Sequence, residues 1–382
     1  MTGKEKVESA LTSRGTPSIP VIIPYESIMI RDHWEELVAN PWWDLHSPKL
    51  QVQMRWRREV LKQIENDFLE LPLFYTRDER EVLGIEQHRD EVLLIDRRTG
   101  DAKLLEREPV GGFLIVSLHK KTGFEAKSFE DIDRLVPPLE REGPDTFLHS
   151  GRSDLAISLV EEFGRERYPI CSARSPLWAC HALWGFEPLM RNIAAVPDLV
   201  HFACRRYLDY ALHKVRRAAA MGAAGIWIEE CLTDLVSPES YASLSLPYLQ
   251  QLVEGIHASG LSGILYFCGD PSGKLELILK AGCDAVGFEE SKKDFQIDIE
   301  ELAEQINGRC ALLGNIDAIE IVEQGSEEQL RAGLTCQLQA GRRNGNRFIV
   351  SCGSPITPTT SIQRVRFYLG LARELGMAAS AS

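Results

Sequence analysis

The run Gly225-Ile-Trp-Ile-Glu-Glu230 decides the fold, because four runs of the same kind follow it. Gly263-Ile-Leu-Tyr-Phe267 leads into Cys268-Gly269-Asp270, and Asp284-Ala-Val-Gly-Phe288 leads into Glu289-Glu290. Cys310-Ala-Leu-Leu313 leads into Gly314-Asn315-Ile-Asp317, and Arg347-Phe-Ile-Val-Ser351 leads into Cys352-Gly353. A short apolar run bounded by Gly and charges reads as a strand buried on both faces. The stretches between the runs are long enough for one helix each. Strand-helix alternation implies a parallel sheet. The expected fold is therefore α/β, a (β/α)8 TIM barrel, in which chemistry is assembled at the C-terminal ends of the strands. Here those ends carry Glu, Cys, Glu, Asn, Asp and Cys, a rim suited to metal or acid-base chemistry.

Working outward, Ile19-Pro-Val-Ile-Ile-Pro24 is a candidate first strand. Val52, Trp56, Val60, Leu61 and Ile64 fall at helical spacing, which predicts a helix over Ser47 to Asp67, and Phe68 to Phe74 reads as a second strand. Residues 76–118 change character. They are β-rich, and Arg97-Arg-Thr-Gly-Asp101 is a turn signal, so a small β-rich insertion is expected there. Tyr168 to Cys171 reads as a strand, with long helical segments after it to Gly222 and a last helix over Ile362 to Leu375. The expected organisation is a flexible start over 1–18, a single barrel domain over 19–376 with an N-terminal helical extension, and a disordered tail over 377–382.

The chain has 382 residues, 44% apolar and 26% charged, ordinary for a globular protein and comfortable for one barrel with insertions. A net charge of -13 argues against a large nucleic-acid surface, which calls for a basic face. No apolar run approaches the roughly 18 residues of a membrane span, and Met1 to Arg14 lacks a signal-peptide core. The expected location is cytoplasmic. Nine cysteines are scattered with no CxxC pair, which excludes a zinc ribbon or thioredoxin motif. Most such thiols are small buried hydrophobes. Position at a strand end singles out Cys268 and Cys352.

At these strand ends the chain resembles the uroporphyrinogen decarboxylase superfamily. The resemblance rests on Phe267-Cys268-Gly269-Asp270 with Asp284-Ala-Val-Gly-Phe-Glu289, on Leu313-Gly314-Asn315-Ile316-Asp317 with Gly325-Ser-Glu-Glu328, and on Leu235-Val-Ser-Pro238-Glu-Ser-Tyr241. These blocks cover roughly the last 160 residues, and their order and spacing are specific together. The decarboxylases carry an Arg-Gln-Ala-Gly-Arg block near the N-terminus, and nothing like it stands in residues 1–60. The other branch comprises zinc-dependent methyltransferases that carry His-x-Cys on one strand and a second Cys near the last. Here Cys268 and Cys352 match the two cysteines, while Tyr266 stands where that branch has His.

The resemblance implies Zn2+ held by Cys268, Cys352 and Glu230, since Glu230 aligns with an acidic residue that follows this strand in the family. Glu229 is the alternative, because successive strand residues point to opposite faces. Glu230, Tyr266 and Asn315 are the candidate catalytic residues, and Glu229, Glu289 and Asp317 the candidate substrate-binding ones. The implied function is a zinc-dependent methyltransferase. It would move a methyl group between a small O-, S- or N-methyl substrate and the cobalt of a corrinoid protein. The corrinoid would come with a partner, since no region reads as a corrinoid-binding domain, and a homodimer follows by family analogy. The rivals are a tetrapyrrole decarboxylase and a barrel that binds a small ligand without turnover.

Overall fold

The computed structural model describes residues 1–111, 126–139, 143–292 and 294–380. Seven parallel strands form one curled sheet: β1 (Phe68–Glu70), β5 (Tyr168–Arg174), β6 (Gly225–Glu230), β7 (Ser262–Phe267), β8 (Ala285–Phe288), β9 (Ala311–Leu313) and β10 (Phe348–Ile349), paired in that order. The remaining three, β2 (Leu83–His88), β3 (Glu91–Asp96) and β4 (Ala102–Leu105), form a separate antiparallel sheet. The five quoted runs are thus β6 to β10 of one sheet. Each crossover between adjacent strands from β5 onward contains at least one helix, as parallel pairing requires.

The Pro20–Ile23 segment bridges the two edges of the curl. Ile22 N donates to Val350 O at 2.9 Å and Val350 N to Pro20 O at 2.9 Å. On the other side Asp67 N donates to Val21 O at 3.1 Å, and Val21 N to the Asp67 carboxylate at 2.8 Å. The run of apolar residues between prolines therefore serves as a stave, with its prolines where no ladder donor is needed. The helices Glu26–Asp32, Trp34–Leu37 and Leu50–Gln63 lie between this stave and β1. They form the connection from this stave to β1.

The N-terminus departs from expectation. Gly3–Leu11 is a helix with a capping box between Thr2 and Glu5. Its Val7, Ala10 and Leu11 join Ile22, Phe68, Tyr168 and Ile349 in the cluster that fills the sheet's concave face. Polar residues dominate the segment by count, but three apolar ones at helical spacing are enough to bury one stripe. Burying Val and Leu stabilises by roughly 1.5–3 kcal/mol each. Arg347 also donates to Leu11 O at 2.8 Å. At the other end the helix Ile362–Ser380 runs past residue 377, where a disordered tail was expected. The β-rich insertion is the three-stranded sheet, with Gly100 at φ 81° in the signalled turn. Residues 112–118 of that expectation lie outside the described residues.

Alternation along each strand sorts side chains between two clusters. Trp227, Ile264, Tyr266, Ala285, Leu313 and Ile349 face the concave interior. Ile226, Ile228, Leu265, Phe267, Phe288, Val350 and Cys352 face the helix layer. This parity decides which strand-end groups reach the barrel mouth. No described helix is long and apolar enough to cross a membrane.

Candidate active site

The β6–β7 register places Glu229 opposite Tyr266 and Glu230 opposite Phe267, so Cys231 stands level with Cys268. Their sulfurs are 2.7 Å apart. Both thiols continue the inward parity, Cys231 from Trp227 and Glu229, Cys268 from Ile264 and Tyr266. Hydrogen bonding to Cys231 holds the Cys268 thiol well above its ordinary pKa, and burial and the charges of Glu289 and Glu229 push the same way. Sequence reasoning passed over Cys231. The available signal was its place one residue past β6, as Cys268 stands one past β7.

Three aromatic rings back the pair. Trp227 and Tyr266 stack at 5.2 Å with planes 21° apart. Tyr25 meets both edge-on at 5.8 Å. Such ring pairs contribute about 0.5–1.5 kcal/mol beyond the area they bury. Tyr25 holds a left-handed backbone at φ 55°, uncommon for a bulky residue, as it turns the chain from the Pro20–Ile23 stave into the helix Glu26–Asp32. Burial first, then the charges of Cys268, Glu229 and Cys231, holds its phenol well above the ordinary range.

Two carboxylates stand beside the thiols. Burial raises Glu229 above the usual carboxylate range, against the pull of Arg174, 3.9 Å away, and Lys214. Burial likewise raises Glu289, against the pull of Lys292 and with the charge of Glu290 adding to it. Tyr266 contributes a ring to the wall, and its hydroxyl donates to Gly353 O. The phenol is thus engaged with the backbone and positions the segment after β10.

The other expected site residues lie elsewhere. Glu230 is fully buried and points to the helix layer, where Ser245 Oγ donates to Oε1 at 3.0 Å. Its Oε2 has no hydrogen-bond partner. Burial lifts the carboxyl to about 7, while the hydroxyls of Ser245, Ser175 and Thr233 pull it down. Cys352 has the parity of Val350, so it too faces the helices. It packs against Tyr368, and burial pushes its thiol up to about 12. Glu230 and Cys352 therefore do not converge on Cys268, because each stands one residue out of register with the inward face. Asn315 is a clamp: Nδ2 donates to Glu289 O at 3.1 Å, and Oδ1 accepts from Gln337 Nε2 at 3.0 Å. It holds the backbone that carries Glu289. Asp317 caps the helical turn Ala318–Glu323, accepting from Ile319 N at 2.8 Å and Glu320 N at 2.7 Å. Among the described residues no three His, Cys, Asp or Glu side chains stand together as a metal-ligand group.

The family model for uroporphyrinogen decarboxylase (URO-D) matches residues 125–375. The chain belongs to this family. It is 24% identical over 241 residues to the methylated-thiol–coenzyme M methyltransferase of Methanosarcina mazei, covering 60% of this chain and 61% of that enzyme. It is 23% identical over 247 residues to the methylcobamide:CoM methyltransferase MtbA of the same organism, covering 63% and 67%. A uroporphyrinogen decarboxylase of Cupriavidus necator is 25% identical over 223 residues, covering 55% and 60%. The solved structure described as a methyltransferase from Methanosarcina mazei superposes with a TM-score of 0.64 at 17% identity, over 98% of this chain and 99% of that one. That likeness shows the fold. Parity within the URO-D scaffold accounts for the mouth of this chain: Glu229, Cys231, Tyr266, Cys268 and Glu289 share it.

Proposed function

We propose that this URO-D family chain is a methyltransferase. It would move a methyl group between a small O-, S- or N-methyl substrate and the cobalt of a corrinoid carried by a partner protein. The observation that carries this reading is the Cys231–Cys268 thiol pair at the ends of adjacent strands, 2.7 Å apart at the barrel mouth. A decarboxylase acting on carboxylates has no use for paired thiols. A methyltransferase that activates a heteroatom through a soft metal does.

The donor chemistry fits zinc, which favours thiolate with histidine or carboxylate. Cys231 and Cys268 are the two thiols that would hold it; among the described residues no third His, Cys, Asp or Glu side chain stands with them. Glu230 and Cys352 leave the donor set because they face the helix layer. Two thiols, two carboxylates and a phenol share one mouth, and each acidic group for which a direction is given is raised by its neighbours' charge or by burial. When bound, zinc would serve as a Lewis acid toward the heteroatom that bears or receives the methyl group.

The chain's own residues supply the rest. The Trp227, Tyr266 and Tyr25 rings wall the pair from water on its inner side. Arg174 and Lys214 pull the Glu229 carboxyl back toward its usual range against burial. Asn315 fixes the turn that presents Glu289. The test mixes the protein with methylcob(III)alamin and small thiols, and separately with cob(I)alamin and methyl donors, and follows the cobalt absorbance. Spectral conversion in one direction, lost in Cys268→Ala, is expected. No conversion in either direction contradicts the reading.

A further inference from the structure

A cavity of about 360 Å³ opens between the helices Glu26–Asp32 and Leu50–Gln63, the end of β1 and the middle of β5. Small-ligand pockets run from roughly 300 to 1,000 Å³. Its wall is mostly apolar, with Ile30, Leu45, Val60, Leu69 and Ile170 among the lining residues. Three charged side chains interrupt that wall: Glu26, Arg57 and Glu70.

The polar groups are under-used. The Arg57 guanidinium lies 3.9 Å from the Trp56 ring and donates to Gln53, but forms no ion pair with any described residue. Burial pulls it down to about 9, with only the charge of Glu70 in its favour. Glu26 is 4% exposed, and its Oε1 has no hydrogen-bond partner. Burial lifts its carboxyl to about 7. Trp56, also 4% exposed, has an unpartnered indole N–H. An unpartnered buried polar atom costs roughly 1–3 kcal/mol, so a molecule that satisfies these groups recovers that cost. A cation, an indole N–H and a carboxyl that carries its proton near neutral pH are all donors. What they lack is a hydrogen-bonded acceptor: the charge of Glu70 reaches Arg57, but Glu70 accepts from Ser27 and forms no ion pair with it.

We propose that this cavity binds a small monocarboxylate with an apolar body, its carboxylate on Arg57 and Glu26 and its body against Trp56 and the aliphatic wall. One guanidinium in this volume suits a single carboxylate, not the several of a polycarboxylate macrocycle. The charge of Glu229 acts on both Glu70 of the cavity and Cys268 of the thiol pair, so the cavity and the pair lie within electrostatic reach of one carboxylate. That this carboxylate is the methyl-bearing substrate rests on the methyl-transfer reading. Its binding needs neither metal nor corrinoid, so the two fail separately.

The test is calorimetric titration of the full chain with benzoate, benzamide and benzylamine, which share a body and differ in charge. Benzoate is expected to bind at least about tenfold tighter than either of the others, the equivalent of one charge-assisted hydrogen bond. Arg57→Met is expected to lose at least that factor and Arg57→Lys to recover part of it, with thermal melting confirming that each variant is folded. Should Arg57→Met not fold, the three-ligand comparison on the wild type decides alone. Benzylamine binding tighter than benzoate, no benzoate binding at millimolar concentration, or unchanged binding in folded Arg57→Met overturns the proposal.

Discussion

Replacing Glu230 with Gln separates a buried structural carboxyl from a metal ligand. The side chain has no exposure, and burial sets its folded pKa at about 7 against 4.5 in an unperturbed chain. A folded value above the unfolded one means that folding favours the proton. The carboxyl's contribution to stability is intact below about pH 4.5 and is lost as pH rises through about 7. The gap, at ~1.36 kcal/mol per pH unit, is on the order of 3 kcal/mol at pH 8. Gln keeps the shape, keeps an oxygen for Ser245, and places a neutral amide near the Thr233 hydroxyl. Glu230→Gln is therefore expected to stabilise the protein at pH 8 by on the order of 2–3 kcal/mol and to change little near pH 4.5. With about 2.1 cal/mol/K of unfolding entropy per residue over the chain, the gain in Tm is roughly 2.5–3.7 °C. Calorimetric melts of both proteins from pH 4.5 to 8 read this directly. A variant less stable than wild type at pH 8, or a difference that does not grow with pH, refutes the reasoning. Loss of bound zinc in the same variant would return Glu230 to the donor set.

Three smaller substitutions test the other placements. Asp317→Ala removes a helix cap and should cost about 1 kcal/mol in denaturant titration, with methyl transfer unchanged. Tyr266→Phe removes the donor to Gly353 O and should cost about 1–2 kcal/mol, since the buried carbonyl loses its partner. Cys352→Ala should lower stability by about 1–2 kcal/mol through lost packing beside Tyr368 while leaving metal content as in wild type. An Asp317→Ala protein that is fully stable but inactive would show that the residue meets substrate.

The curled parallel sheet was legible because its strands are short apolar runs at regular intervals, and parallel pairing leaves few other arrangements for them. The N-terminal helix was hidden by composition: three apolar residues among polar ones bury a stripe that the average does not show. For the site, the rim was legible and the donors were not. Every strand end carries a chemically capable residue, and parity decides which one faces inward. Glu229 and Glu230 are adjacent, as are Ser351 and Cys352, so one residue of register moves a candidate from the mouth to the helix layer. Cys231 was legible in principle, standing one past β6 as Cys268 stands one past β7. Asn315 and Asp317 reveal their roles only through partners, Gln337 at one and the backbone of a helical turn at the other.

The most direct test of the central claim is zinc content by mass spectrometry on protein purified without chelator, comparing wild type with Cys231→Ser, Cys268→Ser and Cys352→Ser. The thiol pair predicts about one zinc per chain, lost in the Cys231 and Cys268 variants and kept in the Cys352 variant. Zinc kept in Cys231→Ser and lost in Cys352→Ser would contradict it.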